Sequence, residues 1–293
     1  MVTVAKGEVP VGLDVGSHEY EITPELVRDY MEGVDDQHAW YTGASPFGGP
    51  VAPALILHSE VYRFGGWYLP NIFGNLHARQ EWELFAPIMV GDRVTSRSTI
   101  IDRYIKRGRD YVVNEVQLFG PEGRLLSRGR THQSFLLDDS QQELAVDKSR
   151  EKAPGRRFEA GAGEFEEEIA PLEKTVTLDM CRKFSGPGKN YHTDAEEAKK
   201  LGFPDIVVQG MMPICFLSEL MTLRFGEGWL AGGRMSVNLV NVLWGADGAA
   251  ACRGVVREFT TEGPRRRAHC ELWAEKPDGT KVIVGTASAI LSP

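Results

Sequence analysis

The chain of 293 residues repeats itself once, and that repeat narrows its fold more than any other feature. Residues 58–70, HSEVYRFGGWYLP, share Ser-Glu, Arg-Phe-Gly, Trp and Leu with residues 217–231, LSELMTLRFGEGWLA. Each stretch follows an apolar segment with a proline near its start, VAPALIL at 51–57 and GMMPICF at 210–216. Downstream, residues 110–137 and 268–291 both run from alternating apolar positions through a Pro-x-Gly turn into a second alternating run. That pattern predicts a β-hairpin in each half. Upstream, Thr23 is a natural N-cap with Pro24 at the first helical position, and Val27, Tyr30, Met31 and Val34 then share one face. Thr177 caps the matching segment of the second half, VTLDMCRKFSG.

Each half therefore predicts a short helix, an irregular loop, a long apolar helix and several long antiparallel strands. Residues 210–223 are apolar almost all round, so their helix has to be buried. The strands that follow alternate and keep one wet face. A buried helix wrapped by a curved antiparallel sheet satisfies both demands. Two such units are expected to pair through their sheets, because a lone sheet leaves an edge exposed. The predicted class is α+β, with an N-terminal unit at 1–137 and a C-terminal unit at 169–293. Residues 138–168, rich in Gly, Pro and charge, read as a polar linker.

Composition excludes several classes. Hydrophobic residues at 42% and charged residues at 25% are ordinary for a water-soluble globular chain. A net charge of −8 argues against general nucleic-acid binding. No apolar run approaches the ~20 residues that span a membrane, and the N-terminus lacks a long apolar secretion segment. Cys181, Cys215, Cys252 and Cys270 form no CxxC pair, which fits reduced thiols in the cytoplasm. There is no HExxH, P-loop, strand-borne GxGxxG or GxSxG, so neither a metal nor a cofactor is expected.

The second half reads Ser185-Gly186-Pro187-Gly188-Lys189-Asn190-Tyr191-His192, then Thr193-Asp194, and later Gln209-Gly210-Met211. It resembles the hydratase motif of the MaoC-like hydratase/dehydratase family in its double hot-dog form: Ser-Gly-Asp-x-Asn-Pro-x-His, a helix, then His-Gly-Met. The first half resembles that family's supporting unit through DDQHAWYTGASPFGGPVAPALIL at 35–57. The resemblance covers roughly 20–137 and 170–291. It implies a double hot-dog with the site in the second half. His192 would be the catalytic histidine, Gly210 the glycine whose N–H faces a thioester carbonyl, and Ser218 a residue near the site. The motif aspartate falls on Pro187. The motif asparagine falls on Lys189 or, with a one-residue shift, on Asn190. In the first half Asp35 aligns with the aspartate and Trp40 with the histidine.

Adding water to an α,β-unsaturated thioester needs a base, a proton for the α-carbon and a donor to the enolate-like oxygen. Histidine serves as a base near neutral pH. A glycine at the start of a buried helix offers close approach and a free N–H. A proline moves no proton. Asp194 could replace the missing carboxylate, although an N-cap for AEEAKKLG is the simpler reading. Lys189 and Tyr191 are candidate substrate contacts, set against a solvated lysine and a packing tyrosine. Ser218 lies in the apolar helix, where it can bond its own backbone one turn back. The leading expectation is a hydro-lyase acting on a 2-enoyl or 3-hydroxyacyl thioester of CoA or an acyl-carrier protein, with a homodimer left open. The alternatives are other chemistry in the same pocket (a thioesterase, an isomerase or a specialised-metabolite enzyme) or a non-catalytic acyl-thioester-binding protein.

Overall fold

The computed structural model describes residues 9–69, 75–137, 159–186 and 188–291. The first half contains β1 (Asp14–Glu21), α1 (Pro24–Val34), β2 (Leu76–Leu84), β3 (Arg93–Lys106), β4 (Arg109–Phe119) and β5 (Leu125–Leu136). The second contains β6 (Glu167–Thr175), α2 (Leu178–Ser185), α3 (Ala195–Lys200), α4 (Met211–Phe225), α5 (Glu227–Leu230), β7 (Arg234–Leu239), β8 (Ala249–Glu262), β9 (Arg265–Glu275) and β10 (Lys281–Ile290).

The strands form one antiparallel sheet in the order β1-β3-β4-β5-β2-β7-β10-β9-β8-β6. Read outward from its middle, each side repeats the same sequence of strands, so the halves are related by a pseudo-twofold axis at β2–β7. That joint runs from Arg79 opposite Asn238 to Glu83 opposite Arg234. Both halves bury the central edge that each would expose alone.

The local signals in the sequence operate as expected. The Thr23 hydroxyl accepts from the Leu26 N–H at 3.2 Å, and Val27, Tyr30, Met31 and Val34 are buried. Thr177 accepts from the Met180 N–H at 3.1 Å and starts α2 in the same way. Asp35 ends α1 in the left-handed conformation (φ 52°), and its N–H bonds the Met31 carbonyl. Helix α4 is buried on all sides apart from Leu223 and Arg224. Pro213 sits in its first turn, where a missing N–H costs nothing.

The first half departs from expectation, because its long apolar helix does not form. Residues 54–64 make successive tight turns instead. The N–H of Ile56 bonds the Pro53 carbonyl at 3.0 Å, His58 bonds Leu55 at 2.8 Å, and Glu60 bonds Leu57 at 3.1 Å. The sheet beneath supplies the physical reason. In the second half the cross-strand pairs Cys252–Ala274 and Cys270–Ala287 are buried and apolar, suited to α4. In the first half Asn114 faces Thr131, and Thr131 faces Gln80, all buried. An apolar helix laid on those polar groups would strand them. The turns instead carry Glu60 into the sheet, where it accepts from Tyr20 and Ser96 at 2.6 Å each and pairs with His18 at 2.9 Å.

The halves are also tied below the sheet. Gly33 of α1 lies against Phe184 of α2, with room for no more than van der Waals contact at an added Cβ, 3.6 Å from the Phe184 nitrogen. Lys174 of β6 donates to the Asp35 carbonyl at 2.6 Å and meets the Glu219 carboxylate at 2.6 Å. Most of the expected linker, 138–158, lies outside the described residues, and its last two residues belong to β6. No helix among the described residues is long and apolar enough to cross a membrane.

Candidate active site

The loop from α2 to α3 is shaped by its own side chains. Asn190 takes the His192 N–H on its Oδ1 at 2.8 Å, and its own N–H donates to Thr193 Oγ1 at 2.9 Å. The Thr193 hydroxyl donates to the Gly188 carbonyl at 2.9 Å. Such side-chain-to-backbone turns fix a loop without regular structure. Asn190 is thereby committed to loop geometry rather than to a substrate contact.

His192 Nδ1 lies 2.6 Å from the Val207 carbonyl oxygen. A carbonyl only accepts, so Nδ1 carries the proton and Nε2 keeps its lone pair. Burial lowers the His192 pKa from its ordinary value, and the bond to Val207 offsets only part of that. The ring is thus a neutral base with one nitrogen oriented and the other open. The Val207 N–H returns a bond to the Tyr191 carbonyl at 3.0 Å. The Tyr191 ring sits 4.0 Å from the His192 ring and 5.9 Å from Phe203.

Three residues beyond Val207, Gly210 caps α4 with φ −58° and ψ −24°. Among the described residues the N–H groups of Gly210 and Met211 meet no acceptor, while Met212 bonds the Gln209 carbonyl at 2.8 Å. Free N–H groups and the positive helix end make this a natural seat for a developing oxyanion. One short segment therefore both orients the base and presents the donor. The approach at this glycine is close: a Cβ there would lie 2.4 Å from Leu239 Cδ2, which would have to turn away, and 3.6 Å from His77 Nδ1.

His77 belongs to β2 of the first half, and no sequence motif marked it. Its Nε2 lies 3.0 Å from Gln80 Oε1, which also accepts from the Thr131 hydroxyl at 2.8 Å. The Nε2 therefore carries the proton, and Nδ1 accepts from the Tyr62 hydroxyl at 3.3 Å. Burial drives His77 down to about 4. Burial, with Tyr68 and Tyr191 nearby, drives the Tyr62 phenol well above its ordinary value. Both groups are neutral at physiological pH.

Three candidates from the motif take other roles. Asp194 caps α3, accepting from the N–H groups of Glu196 at 2.9 Å and Glu197 at 3.2 Å, and it pairs with Lys189 at 3.2 Å. Those backbone bonds, then Lys189, hold its pKa below the ordinary value, so it is a poor proton donor. Lys189 is exposed, with Asp194 as its partner. Ser218 is buried and accepts from Trp229 Nε1 at 3.1 Å, which ties α4 to α5. Pro187 lies outside the described residues.

A second buried polar group lies at α4. The Tyr41 hydroxyl donates to Asp36 Oδ2 at 2.9 Å, close to the Lys174–Glu219 pair. Burial and then the charge of Asp36 push Glu219 up to about 8. A groove of about 780 Å³ crosses the sheet past Glu81, Arg128, Arg257 and Glu271. It contains none of the motif residues, and its charges pair with one another, as in Arg257–Glu271. Among the described residues no three His, Cys, Asp or Glu side chains cluster as metal ligands.

Residues 10–119 match the family model described as FAS1-like, dehydratase domain region. No curated protein matched the sequence. A solved structure named MaoC-like dehydratase shares the fold with a TM-score of 0.75 at 18% identity, covering 97% of this chain and 98% of that one. A MaoC-like dehydratase from Phytophthora capsici gives 0.68 at 15% identity, covering 96% of each chain. A Mycobacterium tuberculosis protein described as a double hot-dog gives 0.59 at 12% identity, covering 97% of each. At such identities structural likeness establishes the fold. That fold is the double hot-dog shared with these dehydratase-named structures.

Proposed function

We propose that the protein hydrates a 2-enoyl thioester, or dehydrates the 3-hydroxyacyl thioester, carried on CoA or an acyl-carrier protein. His192 Nε2 is the base that takes a proton from water, and the Gly210 N–H receives the thioester oxygen. The reading rests on one observation above all: Val207 fixes the His192 tautomer three residues before the unpaired N–H groups of α4. Water attacks the β-carbon as its proton passes to His192. Negative charge then moves onto the thioester oxygen, where an N–H donor at a helix start stabilises it. Asp194 is left out of this set because its carboxylate is spent on a helix cap and an ion pair.

The test is hydration of a crotonyl-type thioester, followed through loss of the enoyl absorbance. His192→Ala should lower the rate by at least ~10² with circular dichroism unchanged. Equal rates in parent and variant would remove His192 from the mechanism. Release of free thiol, with recovery of the unsaturated acid, would replace hydration by thioester hydrolysis.

A further inference from the structure

Hydration needs a second proton-transfer group, and the motif position that would carry a carboxylate holds Pro187. A replacement belongs near the carbonyl end of the substrate. The α-carbon is bonded to the thioester carbonyl carbon, so its proton donor belongs beside Gly210. The β-carbon lies further off, where His192 handles water.

The residue beside Gly210 comes from the other half of the molecule. His77 Nδ1 is 3.6 Å from where a Gly210 Cβ would stand, and the Tyr62 hydroxyl donates to that nitrogen at 3.3 Å. The arrangement is held from behind, because Thr131 and His77 both donate to Gln80 Oε1. Tyr62 is also close enough to Tyr191 for the Tyr191 charge to raise its pKa, and Tyr191 lies against His192. A ring of aromatic side chains thus runs from the base to the helix end. Two buried side-chain oxygens flank its chain segments without a partner among the described residues: Ser185 Oγ before the His192 loop and Gln209 Oε1 before Gly210. Buried polar atoms left unpaired in this way point to a site that water or substrate completes.

We propose that Tyr62, positioned by His77, is the second catalytic group of this site and gives the α-carbon its proton. The proposal rests on the hydratase reading above. The water oxygen bonds the β-carbon while the water proton moves to His192 Nε2, and the π pair shifts to the α-carbon and thioester oxygen. The α-carbon then takes the Tyr62 hydroxyl proton, and the C–H bond forms as O–H breaks. The phenolate recovers a proton from the His192 imidazolium through solvent, which restores both groups and leaves one water added. A protonated phenol is the competent state, and the buried setting of Tyr62 keeps it protonated. His77 touches Tyr62 rather than the reacting atoms, so it is a positioning residue.

The experiment compares the full-length parent with Tyr62→Phe, Tyr191→Phe and His77→Gln. It measures hydration kcat and KM, and deuterium uptake at the α-carbon in D2O. Tyr62→Phe should lower kcat by ~10² or more and suppress deuterium uptake, with KM within about threefold of the parent. Tyr191→Phe should stay within about threefold, and His77→Gln should show a smaller loss than Tyr62→Phe. A merely structural Tyr62 would shift the melting temperature and leave the isotope pattern alone. If Tyr62→Phe does not fold, fluorotyrosine incorporated at position 62 keeps the shape and acidifies the phenol, and kcat must change with it. A Tyr62→Phe variant that hydrates and exchanges like the parent overturns the role of Tyr62 and leaves the hydratase reading standing. A parent that hydrates no enoyl thioester overturns the reading and this proposal together.

Discussion

Replacing Lys174 by methionine should destabilise the protein by an amount that grows with pH. Lys174 is 5% exposed, and its ammonium meets the Asp35 carbonyl and the Glu219 carboxylate at 2.6 Å each. It also sits 5.6 Å over the Phe216 ring, so a methionine stem fills much of its space. Two losses follow, with different pH dependence. The Asp35 carbonyl loses its donor at any pH, a cost of about 1–3 kcal/mol. The carboxylates lose their counter-charge, and breaking a buried ion pair costs about 3–5 kcal/mol. Glu219 escapes the second loss while it holds a proton. Its pKa is raised from an ordinary 4.5 to about 8, so the stability this group supplies is complete below 4.5 and is lost as pH rises toward 8. Without Lys174 the folded value rises further, and the decline continues where the parent's has levelled off. Asp36, also raised by burial and held down by Lys174, adds to the trend in the same sense. The expected loss is therefore about 1–3 kcal/mol at acid pH, and it is larger in mild alkali by as much as about 3–5 kcal/mol. Urea unfolding followed by the fluorescence of the six tryptophans measures both. Adding Glu219→Gln should remove most of the pH-dependent part. The same loss at both pH values, or an unchanged slope in the double variant, would refute the reasoning.

The pH profile of hydration should show an acid limb with an apparent pKa below 6.5, because burial favours neutral His192 and the base works only when unprotonated. A limb above neutrality would count against His192. Ser218→Ala should strand Trp229 Nε1 and cost about 1–3 kcal/mol while leaving kcat unchanged, so a rate loss larger than tenfold would restore Ser218 to the site. Gly228→Ala would put a Cβ 1.7 Å from the Ile290 carbonyl oxygen, backbone against backbone. It should cost about 3 kcal/mol, whereas Gly65→Ala, which meets nothing within 4 Å, should be near neutral in the same calorimetric comparison.

The elements that could be read from the chain are those whose determinants are local. Thr23 and Thr177 cap helices because the N–H groups they satisfy are three residues away. Helix α4 was legible because an all-round apolar run has only one place to go. The hairpins followed from alternation and a turn. Motif spacing picked out His192 and Gly210, and the structure ties His192 to Val207, three residues before Gly210. The equivalent helix of the first half was misread because VAPALIL looks like its counterpart, while the decisive residues, Asn114, Thr131 and Gln80, lie on strands far along the chain. Tyr62 and His77 were invisible for a related reason. They are fifteen residues apart, and His77 reaches Gly210 from β2, which pairs with β7 of the other half. Sequence alone settled what each segment prefers to be, since capping, periodicity and turn chemistry act over a few residues. The tertiary structure alone decided which polar groups the sheet buries beneath the turns and which residues of the first half meet the second, because burial and sheet register depend on partners that no local pattern names.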